Sequence, residues 1–380
     1  MEQIYLDHAA TTPMAEEVTK EMTTVFNEVY GNPSSVHSHG RKARKLLDEA
    51  RNTIALSINA NEKEIFFTSG GTEADNMALI GTALANREKG NHIITSAQEH
   101  HAVLHAAEQL EVLGFDVTYL PVTEDGRVSP ERIKESLRED TILVSIMFVN
   151  NETGVIQPIR EIAEILKEHQ AYFHTDAVQA YGLLDIDVKQ HGIDLLTTSA
   201  HKINGPKGIG FLYAEESVNI NNLFFGGEQE RKRRPGTENV AAVAGFEKAV
   251  ELVMENKEER NKQYGLYKKM FIEELKNRNI NFALNGEQDN TINTIVNISF
   301  PGTNVEQVLT NLDLAGISSS SGSACTAGSI EPSHVLSAMF GENNPCTTNS
   351  IRFSFGEANT EENSIEAAKR VANIIERLIK

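Results

Sequence analysis

From about residue 64 to 215, short apolar segments alternate with longer amphipathic ones: Glu64–Thr68, His92–Ser96, Val117–Leu120, Thr141–Val149, Ala171–Thr175, Leu195–Ser199 and Ile209–Tyr213. Strand-length runs separated by helical stretches predict a mainly parallel sheet covered by helices on both faces. In the stretch Arg160–Lys167, Ile162, Ile165 and Leu166 share one helical face, as a crossover helix requires. The expected fold class is therefore α/β. At 380 residues the chain exceeds the usual single-domain size, so a second unit is expected.

Downstream, Ala241–Arg278 reads as a charged helix leading out of the large domain, and the remainder reads as α+β. Thr294–Phe300 is a strand stopped by Pro301-Gly302. A last helix starts at the N-cap Thr360, has Glu361 and Glu362 in its first turn, and carries Ile365, Ala368, Ala372 and Ile375 on one face.

Parallel strands bring their carboxyl ends to one edge of a sheet, where open α/β folds bind ligands. The residues after successive segments are Ser69-Gly70-Gly71-Thr72-Glu73, Glu99-His100-His101, Asn150-Asn151-Glu152, Asp176-Ala177-Val178-Gln179 and Ser199-Ala200-His201-Lys202. Polar groups scattered over more than a hundred positions should thus converge in one pocket. Asp176 and Lys202 suit a carbonyl cofactor such as pyridoxal phosphate (PLP), which needs a lysine Schiff base and an acid for its ring nitrogen. The same two charges also fit a structural ion pair. Ser69–Thr72, ahead of a helix at Glu73–Ala85, offers free N–H groups and a hydroxyl to a phosphate, or is a plain helix start; no Walker Gly-Lys-Ser/Thr ending is present. His100 could stack on a ring or move protons, or sit at the surface. His101 and His105 lie one helical turn apart but lack a His-Glu-x-x-His pattern and a nearby cysteine, so no metal site is expected.

A net charge of −19 argues against tight binding to nucleic acid, leaving Arg231-Lys232-Arg233-Arg234 as the local exception, read as a solvated basic loop or an anion contact. No apolar run is long enough to span a bilayer, and Met1–Asp7 resembles no signal segment, so a cytoplasmic protein without a membrane partner is expected. Two cysteines, Cys325 and Cys346, make no disulfide framework.

Read in order, Asp7-His8-Ala9-Ala10-Thr11-Thr12, Gly31-Asn32-Pro33-Ser34-Ser35, Ser69–Glu73, Glu99-His100, Asn150–Glu152, His174–Gln179, Ser199–Lys202 and Ser321-Gly322-Ser323-Ala324-Cys325 closely resemble the NifS/IscS-like cysteine desulfurases, in the class V aminotransferase group of PLP enzymes. The resemblance implies the PLP-dependent transferase fold type I: a homodimer whose large PLP-binding domain is 15–255 and whose small domain joins 1–14 to 256–380. It implies PLP on Lys202, with Asp176 on the ring nitrogen, Gln179 donating to the ring oxygen and Asn151 near that oxygen and the substrate. His100 would stack on the ring and act as acid and base. Gly71, Thr72, Ser199 and His201 would hold the phosphate, and Thr237 would reach the phosphate of the partner subunit. Asn32 and Arg352 would bind substrate, the guanidinium clamping its carboxylate.

Cys325 separates a desulfurase from a transaminase. It sits midway along a Ser- and Gly-rich loop at about 318–333, and roughly seven residues back to Ser318 at ~3.3 Å each give a reach on the order of 20 Å. By resemblance, its thiolate takes sulfur from L-cysteine as a persulfide, releases L-alanine, and passes the sulfur to an acceptor protein, a tRNA thiouridylase or an iron–sulfur scaffold; a transient iron–sulfur contact on Cys325 is also conceivable. Competing readings are a PLP lyase or transaminase acting on another amino acid, and a non-catalytic scaffold for sulfur acceptors.

Overall fold

The structure is a computed structural model that describes residues 3–322 and 331–379. Cys325 lies outside the described residues. The strands are β1 (Ile4–Tyr5), β2 (Ile65–Thr68), β3 (His92–Ser96), β4 (Asp116–Leu120), β5 (Thr141–Ser145), β6 (Tyr172–Asp176), β7 (Leu195–Ser199), β8 (Gly210–Ala214), β9 (Ala283–Leu284), β10 (Ile295–Ser299), β11 (Ile317–Ser318) and β12 (Ser350–Ser354). Seven of them form one sheet in the order β2-β8-β7-β6-β5-β3-β4. The pairs β4–β3, β3–β5, β5–β6 and β6–β7 are parallel, whereas β8 runs antiparallel to both β7 and β2. The α/β class with a mainly parallel sheet therefore holds, with one strand reversed.

Period-two alternation fills both faces of this sheet. Phe67, Ile94, Phe173, Leu196, Phe211 and Tyr213 point into one apolar core, and Phe66, Ile93, Leu195, Leu212 and Ala214 into another. Because both faces are covered, neither could be polar, which is why these segments read as unbroken apolar runs.

The helix Val240–Asn277 has 38 residues, so it extends roughly 57 Å at 1.5 Å per residue. Its first half buries Val243, Phe246, Val250 and Val253 against the large sheet. Its second half buries Tyr264, Tyr267, Phe271 and Leu275 in a separate core with Ile4, Leu6, Val296, Ile298, Ile351, Phe353 and Val371. That second core rests on the antiparallel order β12-β10-β9 and on the parallel pair β1–β11, so the two ends of the chain pack together. The C-terminal helix Glu361–Ile379 closes it, and Thr360 Oγ1 accepts the Asn363 N–H at 3.1 Å, as an N-cap does. Among the described residues, no helix is long and apolar enough to cross a membrane.

The basic run Arg231–Arg234 is solvated at Arg231 and Lys232 and tied into the fold at Arg233 and Arg234. Glu230, Arg231 and Lys232 all have positive φ, and buried Glu230 pairs with buried Arg51 at 2.7 Å. The guanidiniums are used internally: Arg233 donates to Val218 O and covers Phe66, and Arg234 pairs with Glu73 at 2.8 Å.

Candidate active site

The carboxyl ends of the parallel strands meet as the sequence pattern requires. A cavity of about 370 Å³ is walled by Gly71, Thr72, His100, Asn151, Asp176, Gln179, Ser199, His201, Lys202 and Arg352. These residues come from four strand ends, the start of one helix and β12, and no two neighbouring elements could assemble the set alone. At the first of these ends, Gly70 has φ +149°, a conformation that turns the chain from β2 into the helix beginning at Gly71.

Lys202 ends a 3-10 turn that continues directly from β7. Its Nζ donates to Ala9 O and, at 2.8 Å, to Ala10 O. The segment that carries those carbonyls is stitched to the lysine turn: Thr12 N–H and Oγ1–H both donate to His201 O, and Asn204 N–H donates to Thr12 Oγ1 at 2.9 Å. Gln179 Nε2 donates to the same Ala9 O at 2.9 Å. The Asp7–Thr12 motif thus forms one wall of the cavity and holds its lysine. The Lys202 pKa falls to about 8, chiefly through burial and next through the Arg352 charge, against which Asp176 and Asp7 act.

Asp176 is the last residue of β6, and its Oδ1 accepts one hydrogen bond, from Val178 N–H at 2.9 Å. Burial raises its pKa to about 6. Behind it lies Asp75, fully buried; lost hydration and the nearby Asp176 both push its carboxyl well above the carboxylate range. Asp75, His100 and Asp176 each present one polar atom within 4.8 Å of the others. His100 caps the helix His101–Val112, its Nδ1 accepting Ala102 N–H at 3.1 Å. The ring is accessible through the cavity mouth, yet lost hydration is the largest cause of its pKa falling to about 4, with Lys202 next. His100 is therefore neutral near pH 7.

Arg352, on β12, is buried; its Nη2 pairs with Asp7 Oδ1 at 2.9 Å and its Nη1 donates to Asn151 O at 2.9 Å. Its Nε is buried with no hydrogen-bond partner. Two expected residues lie elsewhere in the single chain. Asn32 is exposed, its Oδ1 accepting Ser34 N–H. Thr237 lines a separate groove with Ser69, Glu73, Phe224 and Phe225.

With this geometry in view, comparison with known proteins is decisive. The sequence profile described as Aminotransferase class-V matches residues 4–366. The chain belongs to this family. It stands among the cysteine desulfurases of the IscS/NifS type, as its relatives indicate. A Bacillus subtilis (strain 168) protein provisionally named cysteine desulfurase IscS 1 is 57% identical over 378 residues, covering all of both chains. The cysteine desulfurase IscS of Clostridium botulinum (strain Hall) is 50% identical, covering 95% of this chain and 91% of that one. Among solved structures, a NifS-like protein superposes with a TM-score of 0.92 at 33% identity, covering 99% of this chain and 100% of that one. SspA in complex with cysteine gives 0.83 at 36% identity, covering 93% and 98%.

Class V aminotransferases of this kind depend on PLP, and the cavity suits it on grounds independent of ancestry. Among the described residues Lys202 has no carboxylate within hydrogen-bond distance, its Nζ donating to carbonyl oxygens, so no ion pair there must be broken before its amine reacts. Asp176 keeps one oxygen without a hydrogen bond, as a protonated ring nitrogen needs. The neutral His100 can lie against a cationic ring without repulsion.

Several residues here escaped the sequence reading. Asp75 sits one helical turn past Ser69–Thr72 and reads as an ordinary surface acid of a helix. Asp7 belonged to a recognised motif, but its pairing with Arg352, 345 residues away, has no local signal. Glu99 was a strand-end residue without a role; it is fully buried, held by Ser96 Oγ–H at 2.6 Å and by Met147 N–H at 3.0 Å to both oxygens. Burial nevertheless pushes Glu99 up to about 8 from an ordinary 4.5. A folded pKa above the unfolded one makes a contribution that is complete below the unfolded value and lost as pH rises through the folded one. Wild type should therefore lose on the order of a few kcal/mol relative to Glu99→Gln between pH 5 and pH 9. Denaturant melts of both proteins at the two pH values measure this; equal pH slopes would refute it.

Proposed function

We propose that this desulfurase takes sulfur from L-cysteine onto Cys325 as a persulfide, releases L-alanine, and delivers the sulfur to an acceptor protein. The observation that carries this reading is one cavity walled by Lys202, Asp176, His100 and Arg352, with Ser320 and Gly322, just before Cys325, in the same wall.

When bound through Lys202, PLP supplies an electron sink for the pair left as the substrate loses its Cα proton. Asp176 would hold a proton on the ring nitrogen, Gln179 would donate to the ring oxygen, and Asn151 would serve that oxygen and the substrate. Gly71, Thr72, Ser199 and His201 hold the phosphate, the first two at a helix start with free N–H groups. Arg352 would exchange Asp7 for the substrate carboxylate. Lys202, with a pKa near 8, and neutral His100 move protons at Cα and at the substrate sulfur. The Cys325 thiolate attacks that sulfur: an S–S bond forms, the Cβ–S bond breaks with its electron pair passing to the carbon, and two protons complete alanine.

The large unit is 15–255 and the small one 1–14 with 256–380, a division supported by the two separate cores of the long helix. A homodimer is favoured by exposed Phe224 and Phe225 beside Thr237, apolar area that a second copy would cover while Thr237 approached its phosphate. Asn32 would bind substrate, the role that the resemblance gives it. The protein works in the cytoplasm without nucleic acid or membrane. Its acceptor is a tRNA thiouridylase or an iron–sulfur scaffold.

Mass spectrometry after incubation with cysteine tests the carrier role. The peptide containing Cys325 should gain one sulfur, about 32 Da, and lose it when an acceptor is added. A gain confined to Cys346 would overturn the assignment.

A further inference from the structure

Asn204 stands two residues past Lys202, is buried, and has no part in the chemistry above. Its φ of +62° lies in the left-handed region, which asparagine enters more readily than most residues that carry a side chain. In that conformation each of its four polar groups makes a hydrogen bond. Its N–H donates to Thr12 Oγ1 at 2.9 Å, and its carbonyl accepts Ala15 N–H at 3.0 Å. Its Nδ2 donates to Pro13 O at 2.8 Å, and its Oδ1 accepts Arg260 Nη2 at 2.6 Å. Three of the four fasten the Lys202 turn to the N-terminal segment, and the fourth fastens it to the long helix.

Arg260 lies near the midpoint of that helix, where its packing passes from the large core to the small one. The guanidinium is mostly buried; its Nε donates to the Tyr264 hydroxyl at 3.1 Å, and its Nη2 also pairs with Glu357 at 3.0 Å. Glu357 lies just beyond β12, the strand that carries Arg352. A line of contacts therefore runs from the Lys202 turn through Asn204, Arg260 and Glu357 to the Arg352 strand. It is a second route, distinct from the one along the N-terminal segment, where Ala9 and Ala10 meet Lys202 and Asp7 meets Arg352.

The neighbours of Lys202, Ala200 and Ile203, belong to the large core, whereas Ile351 and Phe353, on either side of Arg352, belong to the small one. L-Cysteine has to meet both residues at once, its amine at the PLP on Lys202 and its carboxylate at Arg352. How the two cores are tied together thus decides whether the substrate fits, and misplacement by about 1 Å can cost on the order of a hundredfold in rate.

We propose that Asn204, acting through Arg260, is a positioning residue that sets the spacing of Lys202 and Arg352 and so fits the site to an amine that carries a carboxylate. The inference rests on the reading of Lys202 as the PLP lysine and of Arg352 as the carboxylate clamp.

The test uses the PLP-loaded full chain and two aminothiols that differ by one carboxylate, L-cysteine and cysteamine, each followed through the change in PLP absorbance on mixing. Asn204→Gly tolerates the same backbone conformation and removes the bonds of the side chain alone. It should react with L-cysteine at least about tenfold more slowly than wild type, and with cysteamine within about twofold of it. Arg260→Met keeps most of the side-chain bulk without the guanidinium and should show the same selective loss. The double variant should be no slower with L-cysteine than the slower single variant, because both changes remove one shared tie. Equal slowing with both aminothiols, no slowing with L-cysteine, or multiplicative losses in the double variant would each overturn the proposal. Should Asn204→Gly fail to load PLP, Arg260→Met decides alone by the same pair of rates. Failure of the clamp reading is distinguishable, because Arg352→Lys would then keep the wild-type ratio of the two rates.

Discussion

Replacing Lys202 by alanine should leave a protein without the visible absorbance of lysine-bound PLP and lower cysteine turnover by roughly 10³ or more. Two properties combine at this residue. Its Nζ is aimed at the cavity and held only by the carbonyls of Ala9 and Ala10, so it is placed without being neutralised. Burial and the Arg352 charge bring its pKa to about 8, so a useful fraction is the neutral, nucleophilic amine near neutral pH. Reconstitution of the wild-type apoprotein with PLP should accordingly slow as pH falls below 8, because protonation withdraws the amine. Absorbance and alanine release are the two measurements. A variant that keeps both the absorbance and the turnover would remove Lys202 from the chemistry.

Changing Cys325 to serine should have an effect as large, but at a later step. PLP loading and cysteine binding should stay as in wild type, while alanine release and sulfur delivery fall by roughly 10³, since a hydroxyl does not attack divalent sulfur at neutral pH. Cys346 supplies the control. It is buried, burial pushes its thiol pKa up, and it does not line the cavity, so Cys346→Ser should leave turnover unchanged. Spectral titration with cysteine and alanine analysis separate the two stages. If Cys325→Ser turns over like wild type and sulfide is released, the protein is a PLP lyase.

The central sheet was legible because each strand is buried on both faces and so is written as a short apolar run. The bounds of β3 and β7 agree with the sequence expectation, and β5 stops at Ser145 rather than Val149: beyond it Ile146 and Phe148 N–H still donate to β6, but Met147 N–H goes to the Glu99 carboxylate instead of to β3. The reversal of β8 was not legible, because an apolar run has no direction; that is decided by the short connection from the Lys202 turn back along β7. The long helix Val240–Asn277 was legible as a bridge from its length and charge, but not that Ile4 and Leu6 would pack against its far half.

In the site the division follows the same physics. Side chains at strand ends can be read in order along the chain, so Gly71, His100, Asn151, Asp176, Gln179, Ser199, His201 and Lys202 were named before any geometry and meet in one cavity. Arg352 was named through family resemblance, and its pairing with Asp7 emerged only when β12 lay beside the N-terminal segment. Asn32 and Thr237, also named through resemblance, do not line the cavity of the single chain.

By itself, then, the sequence determined which groups stand at the cavity, because strand periodicity and chain order dictate what each strand end presents. Only the tertiary structure decided how those groups are charged and held. The raised pKa values of Asp75 and Glu99, the neutral state of His100, the lowered pKa of Lys202 and the hydrogen bond from Ser333 to Glu152 all arise from desolvation and contacts between residues far apart in the chain.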